Sequence, residues 1–181
     1  MSAALKDLLY RLADDKLIGG HRNSEWTAIG PVLEEDIAFA SMAQDEIGHA
    51  LAYYKLLEEH GEGEPDQVAF TRKAENFFCC QLVEQPIGDY AFSLIRHFLF
   101  TYAEKARITS LRDSSHRNLA ELTRKIEREV KYHQLHARTW VTQLGQANDE
   151  SNSLLQTALN ASLPLAYSIF EPTEHEEVIA S

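Results

Sequence analysis

Glu46 and His49 stand three residues apart in the stretch AQDEIGHALAYY, which begins at Ala43. On a helix, this Glu-x-x-His spacing places a carboxylate and an imidazole on the same face. Helix bundles use the spacing to hold a pair of iron or manganese ions. A complete site needs a Glu from each of two helices and a Glu-x-x-His from each of the other two, so we asked whether the chain supplies the remaining ligands.

The elements that would position such a site are helices. Apolar residues recur at three- and four-residue steps along nearly the whole chain, and no alternating Val- and Ile-rich run indicates a strand. Breaks rich in Gly, Pro, Asp and Asn separate five predicted helices, at about 5–26, 33–60, 89–112, 119–144 and 153–170. Gly145 is predicted to end the fourth helix, and Pro164 to kink the fifth. A short helix around 70–78 is predicted within the crossing formed by residues 66–87.

This order of helices predicts the fold. Two long antiparallel pairs joined by one long crossing are typical of an all-α, ferritin-like four-helix bundle with one long crossover and an additional C-terminal helix. A chain of 181 residues suits a single domain, 1–181, with the bundle over about 5–145 and the fifth helix over about 153–170.

The fourth helix departs from the ligand pattern of a di-metal site. His133 lies on its inner stripe, as Glu46 and His49 do on theirs. The residue three before His133, however, is Val130, which has no donor atom. Glu129 lies about 100° around the helix from Val130. One carboxylate ligand is therefore replaced by an apolar side chain.

The first and third helices depart from it as well. Residues equidistant from the turn of an antiparallel pair lie at the same height, so Glu46 is expected to face Asp15 and Lys16. The stretch of the third helix opposite the histidine of the fourth ends at Thr101 and contains no Glu; Glu104 is a turn further on. A carboxylate ligand is thus missing, and a lysine brings positive charge to the place where a metal needs anionic donors.

We interpret the centre of the bundle as a vestigial di-metal site. Its expected members are Asp15, Lys16, Glu46, His49, Thr101, Glu129, Val130 and His133. A buried carboxylate needs a compensating charge. We therefore expect Lys16 to replace the metal as the partner of Glu46, with no catalytic residue and no bound metal in this chain.

Two alternatives for metal binding stay open from the residues alone. Glu46, His49, Glu129 and His133 are the ligands expected if the chain holds one or two metal ions after all. Glu129, His133 and His136 share one side of a helix and are candidate zinc ligands.

Composition bears on the partners and on the compartment. The net charge of −11 argues against a nucleic-acid surface or an anionic membrane, because both require concentrated positive charge. No segment has the length and apolarity of a membrane span, and the N-terminal region does not read as a signal peptide. Cys79 and Cys80 are adjacent, which disfavours a bond between them. A cytoplasmic protein is expected.

Four blocks of sequence, in order along the chain, resemble the PaaC-type subunit of the bacterial phenylacetyl-CoA 1,2-epoxidase of aerobic phenylacetate catabolism. They are LADDKLIGGHRNSEW (12–26), LEEDIAFASMAQDEIGHA (33–50), LVEQPIGDYAFSLIRHFLF (82–100) and EREVKYHQLHARTWVTQLG (127–145). The resemblance covers nearly the whole chain. In QDEIGHA, both Glu46 and His49 are present, which is closer to the catalytic sister subunit than PaaC-type subunits usually are.

The resemblance implies a ferritin-like, non-catalytic subunit of a multicomponent monooxygenase. In such complexes the di-iron centre and the acyl-CoA pocket belong to the PaaA-type catalytic subunit, and a reductase supplies electrons from NADPH. The PaaC-type subunit pairs with the catalytic subunit and stabilises it, so this chain is expected to bind no cofactor and to form a homodimer or a dimer of heterodimers. The alternatives are a stand-alone di-metal carboxylate oxidase and a ferritin-like storage protein that assembles into a shell.

Overall fold

The structure, a computed structural model, describes residues 2–172; residue 1 and residues 173–181 of the predicted domain lie outside this description. Within it the fold is all-α, as predicted, and has no strand. The α-helices are α1 (Ala3–Ser24), α2 (Leu33–Glu58), α3 (Pro65–Phe70), α4 (Gln81–Glu84), α5 (Tyr90–Leu111), α6 (Arg117–Ala147) and α7 (Asp149–Ala166). Two 3₁₀ helices span Ala74–Asn76 and Tyr167–Phe170.

The long helices begin at residues whose side chains satisfy free backbone amides. The Ser2 hydroxyl accepts a hydrogen bond from Leu5 N at 3.2 Å at the start of α1. Asp89 does the same for Phe92 N at 2.8 Å at the start of α5. The first four amides of a helix have no partner within it, so such caps fix where each helix starts.

Four helices form the ferritin-like bundle that the sequence predicts. α1 packs along α2, and α5 packs along α6. Ion pairs from Lys16 and Asp15 join α1 to α5, and imidazole–carboxylate contacts join α2 to α6. The largest apolar cluster of the core draws on α1, α2, α5 and α6, and includes Leu9, Leu12, Ala13, Tyr53, Leu57, Ile108, Leu119, Ile126 and Val130.

Glycines let α1 and α2 approach closely. A β-carbon at Gly20 would lie 2.8 Å from Ile47 Cγ1 and 3.2 Å from the carbonyl oxygen of Ala43. A β-carbon at Gly19 would lie 2.9 Å from Oε2 of Glu46. The pair Gly19–Gly20 therefore makes room on α1 for the carboxylate that α2 turns into the core.

The predicted helix around 70–78 is wrong. The helix lies earlier, at Pro65–Phe70, and a single 3₁₀ turn follows at Ala74–Asn76. Aspartates of α1 hold the rest of this segment extended: Asp14 accepts the backbone N–H of Phe78 at 2.8 Å, and Asp15 accepts that of Cys80 at 2.7 Å. These amides bond to another helix rather than to their own segment, which local sequence patterns do not reveal.

The predicted junction of the fourth and fifth helices is also wrong. α6 runs through Gly145 to Ala147, and α7 begins at Asp149 instead of 153. Asn148 separates them in an extended conformation and caps α7 by accepting the N–H of Ser151 at 2.8 Å. Pro164 lies inside α7, which packs on α5 and α6. The other long helices agree with the prediction to within a few residues.

No helix among the described residues is both long enough and apolar enough to cross a lipid bilayer.

Candidate functional site

Lys16 lies at the centre of the bundle between two carboxylates. Its ammonium contacts Glu104 on α5 and is 3.4 Å from Oε1 of Glu46 on α2. All three side chains are 1% exposed. The predicted proximity of Lys16 to Glu46 is present, and Glu104 is the closer partner.

The pKa shifts in this triad follow from burial and from mutual attraction. Burial opposes the charge on Lys16, but the attraction of Glu104 and Glu46 outweighs it and raises the pKa of the ammonium. Burial raises the pKa of Glu46, and Lys16 only partly counters this effect. Lys16 and Glu104 therefore form the dominant ion pair, with Glu46 as a second, more weakly held carboxylate.

His49 is committed to Glu129. Its Nε2 contacts the Glu129 carboxylate across the α2–α6 boundary. Burial, followed by the charge of Lys16, lowers the pKa of His49 to about 2, so the ring is neutral. A neutral imidazole has one N–H, and we assign it to Nε2 because the carboxylate can only accept.

His133 is held by a residue that no sequence pattern singled out. Its Nε2 lies 3.0 Å from Oδ2 of Asp45, and its Nδ1 lies 4.0 Å from Oε1 of Glu46. The 4.0 Å separation is too long for a hydrogen bond. Asp45 therefore fixes the ring, and Glu46 is a neighbour rather than a hydrogen-bond partner.

A further polar group fills the bundle toward the start of α2. Glu35, which is 2% exposed, accepts from Tyr90 at 2.5 Å and lies 2.9 Å from Nε2 of His136. The ring of His97 lies 5.9 Å, centroid to centroid, from the rings of both His133 and His136. Burial, followed by the charges of these two histidines, lowers the pKa of His97 well below its ordinary value.

The remaining predicted site residues face other partners. Asp15 binds Arg107 at 2.6 Å rather than facing Glu46. The hydroxyl of Thr101 donates to the carbonyl of His97 in its own helix. Val130 is fully buried in the apolar core. None of these three side chains contributes a ligand to the centre.

The prediction that Glu104 lies a turn away from the centre is wrong. Side chains in α-helices lean toward the N-terminus and cover the turn before their own Cα. The carboxylate of Glu104 therefore reaches the level predicted for Thr101. A signal was present, because His97, Thr101, Glu104 and Ile108 recur at helical spacing and are all buried.

As arranged, these side chains do not fit a pair of metal ions. The carboxylates of Glu46 and Glu104 share the ammonium of Lys16, a cation supplied by the chain itself. Several side chains each keep one buried atom without a hydrogen bond among the described residues: Glu46 Oε2, His49 Nδ1, His97 Nε2 and His133 Nδ1. Within residues 2–172, however, no three His, Cys, Asp or Glu side chains converge as a metal site.

The candidate zinc ligands are likewise not brought together. Glu129, His133 and His136 contact His49, Asp45 and Glu35, respectively. Each imidazole of α6 faces a carboxylate of α2 instead of a ligand on its own helix. The arrangement ties two helices to each other.

Fold and centre together define a ferritin-like bundle whose central carboxylates are neutralised by a lysine. Comparison with known proteins is consistent with this class. The sequence profile of the phenylacetic acid catabolic proteins (PaaA_PaaC) matches residues 1–181, so the chain belongs to that family.

A characterised relative narrows the comparison. Over 165 residues, the chain is 33% identical to the PaaC-type component of the 1,2-phenylacetyl-CoA epoxidase of Escherichia coli (strain K12). The aligned region covers 91% of this chain and 66% of the relative, so the chain spans less than two thirds of the relative's length.

Proposed function

We propose that this chain is a structural, non-catalytic subunit of a cytoplasmic phenylacetyl-CoA epoxidase. In this role it pairs with a PaaA-type catalytic subunit, which holds the di-iron centre, and stabilises it. A reductase component delivers electrons from NADPH to that subunit. The chain itself contributes a folded helical surface and no cofactor.

The observation that carries the proposal is the position of Lys16. A di-metal centre requires anionic donors around its cations. Here two of the buried carboxylates, Glu46 and Glu104, are already neutralised by an ammonium that is covalently part of the chain. To bind metal, the bundle would have to displace a buried, hydrogen-bonded charge, which is costly.

The neighbouring histidines support the same proposal. His49, His133 and His136 each face a carboxylate across the α2–α6 boundary. Buried polar groups that are satisfied in this way hold helices in one arrangement. A rigid bundle of fixed shape is what a scaffold subunit needs, because a preformed surface loses less conformational freedom on binding.

The direct experiment is co-expression with the PaaA-type subunit. We expect the two chains to co-purify, and phenylacetyl-CoA to be epoxidised, with reductase and NADPH, only when both chains are present. A matched preparation of this chain alone, assayed in the same mixture, should give no product.

Two results would contradict the proposal. Oxidation of a substrate by this chain alone would favour the stand-alone oxidase. A large homo-oligomeric shell that oxidises iron without any partner would favour the storage protein.

A further inference from the structure

The outward face of α6 combines exposed apolar side chains with unpaired cations. Tyr132 is 65% exposed and Leu135 is 52% exposed. The cations Lys125, Arg128 and Arg138 are exposed on the same helix. Within residues 2–172, none of these three has a carboxylate within ion-pair distance, which is unusual in a chain with a net charge of −11.

Other cations on α6 do have partners. Arg117 pairs with Glu121 at 2.8 Å, and Arg124 lies 3.5 Å from Asp113. Lys131 lies 3.9 Å from Glu127. The unpaired cations are therefore a subset of the basic side chains, and they surround Tyr132 and Leu135.

The exposed face of α2 continues this surface without charge. Between residues 37 and 54, the exposed side chains of α2 are Ile37, Ser41, Gln44, Gly48 and Leu51. A groove of about 230 Å³ separates the two helices, and its lining includes Gln44 and Gly48 of α2 and Lys125 of α6. We call the exposed faces of α2 (37–54) and α6 (125–138), with this groove, the α2–α6 surface.

We propose that the α2–α6 surface docks an acidic, helical face of a different chain. The proposal rests on the proposed function, in which that chain is the PaaA-type subunit. Apolar side chains of the partner would cover the α2 face, a side chain would enter the groove, and carboxylates would meet the cations of α6. Arginine and tyrosine are enriched where interfaces carry most of their binding energy.

A second copy of this chain is a poorer match by charge. A two-fold dimer buries the same surface on both subunits. In such a dimer, α6 would face either the cations of the other α6 or the uncharged stretch of the other α2. The acidic side chains near the groove, Asp45 and Glu129, are engaged by His133 and His49. Neither arrangement supplies free carboxylates for Arg128 and Arg138.

The test measures affinity between the purified full chain and the PaaA-type subunit by calorimetry. We expect the double charge reversal R128E/R138E to weaken binding at least tenfold, because like charges then oppose each other across the interface. L135D should weaken binding as well. The matched control is K73E, which reverses an exposed cation in the crossing and should leave affinity unchanged. Added salt should weaken the wild-type complex more than the R128E/R138E complex.

The outcomes separate this inference from the proposed function. If wild type binds and both R128E/R138E and L135D bind equally well, the surface is wrong but the subunit role stands. If wild type fails to bind the PaaA-type subunit at all, both fall. A wild-type homodimer dissociated by L135D, or a duplex DNA complex abolished by R128E/R138E, would overturn the choice of partner.

Discussion

The ammonium of Lys16 on α1 is hydrogen-bonded to the carboxylate of Glu104 on α5 in the middle of the bundle, with both side chains 1% exposed. Two helices that are far apart in sequence are thus joined by a buried ion pair. Glu46 of α2 lies against the same ammonium at 3.4 Å. One lysine therefore joins three of the four bundle helices, the task that metal ions perform in di-metal relatives of the fold.

Lys16→Met is expected to destabilise the protein strongly. The substitution keeps much of the side-chain volume but leaves Glu104 buried without its counter-charge, which typically costs about 3–5 kcal/mol. The free energy of unfolding from urea titration measures the loss.

The surface ion pair of Lys6 and Glu62 provides the control for this change. Lys6 is 43% exposed and lies 2.7 Å from Glu62, so Lys6→Met should cost less than about 1 kcal/mol. Equal losses for the two variants would mean that the central ion pair adds no special stability to the fold.

Gly20→Ala is expected to destabilise the bundle by about 1–3 kcal/mol. The new methyl group would lie 3.2 Å from the carbonyl oxygen of Ala43, a backbone atom that cannot rotate away. In the matched variant Gly48→Ala, the methyl group meets nothing within 4 Å. Because alanine favours helix over glycine, that variant should gain up to about 1 kcal/mol. Thermal unfolding of both variants tests the closeness of α1 to α2.

Acidification is expected to destabilise the fold, beginning near pH 6.5. Burial and the charge of Lys16 lower the pKa of His49 from 6.5 to about 2, and the pKa of His97 is also lowered. Below pH 6.5 the unfolded chain therefore binds protons that the folded chain does not. Each histidine contributes a slope of up to about 1.4 kcal/mol per pH unit.

Glu46 acts in the opposite direction. Its raised pKa contributes stability that is present below pH 4.5 and is lost as the pH rises through the folded-state pKa. Two histidines outweigh this single carboxylate, so stability should still fall on acidification. Urea unfolding at a series of pH values measures the slope, and His49→Gln, which keeps an N–H for Glu129, should make it shallower. An unchanged slope would mean that His49 is not held neutral.

The long helices and their pairing were predictable because each depends on local information. Apolar periodicity marks the buried face, and capping residues such as Asp89 mark the helix start. The segment around Phe78 was not predictable in this way, because its backbone bonds to Asp14 on a distant helix. Long-range hydrogen bonds of this kind leave no periodic signal.

The candidate site was predictable in part. The helical face carrying Glu46, His49 and His133 was apparent from spacing, and so was the proximity of Lys16. Glu104 was misplaced because reflection through a turn compares only the two helices of one hairpin, whereas Glu104 reaches a third helix. Asp45 was missed because it is partly exposed and lies beside the inner stripe of α2.

The most direct measurement is the metal content of the purified chain after anaerobic incubation with ferrous iron and removal of excess metal. We expect no stoichiometric iron, because the ammonium of Lys16 holds the position between Glu46 and Glu104. Two tightly held irons per chain, lost in Glu46→Ala, would contradict the scaffold role.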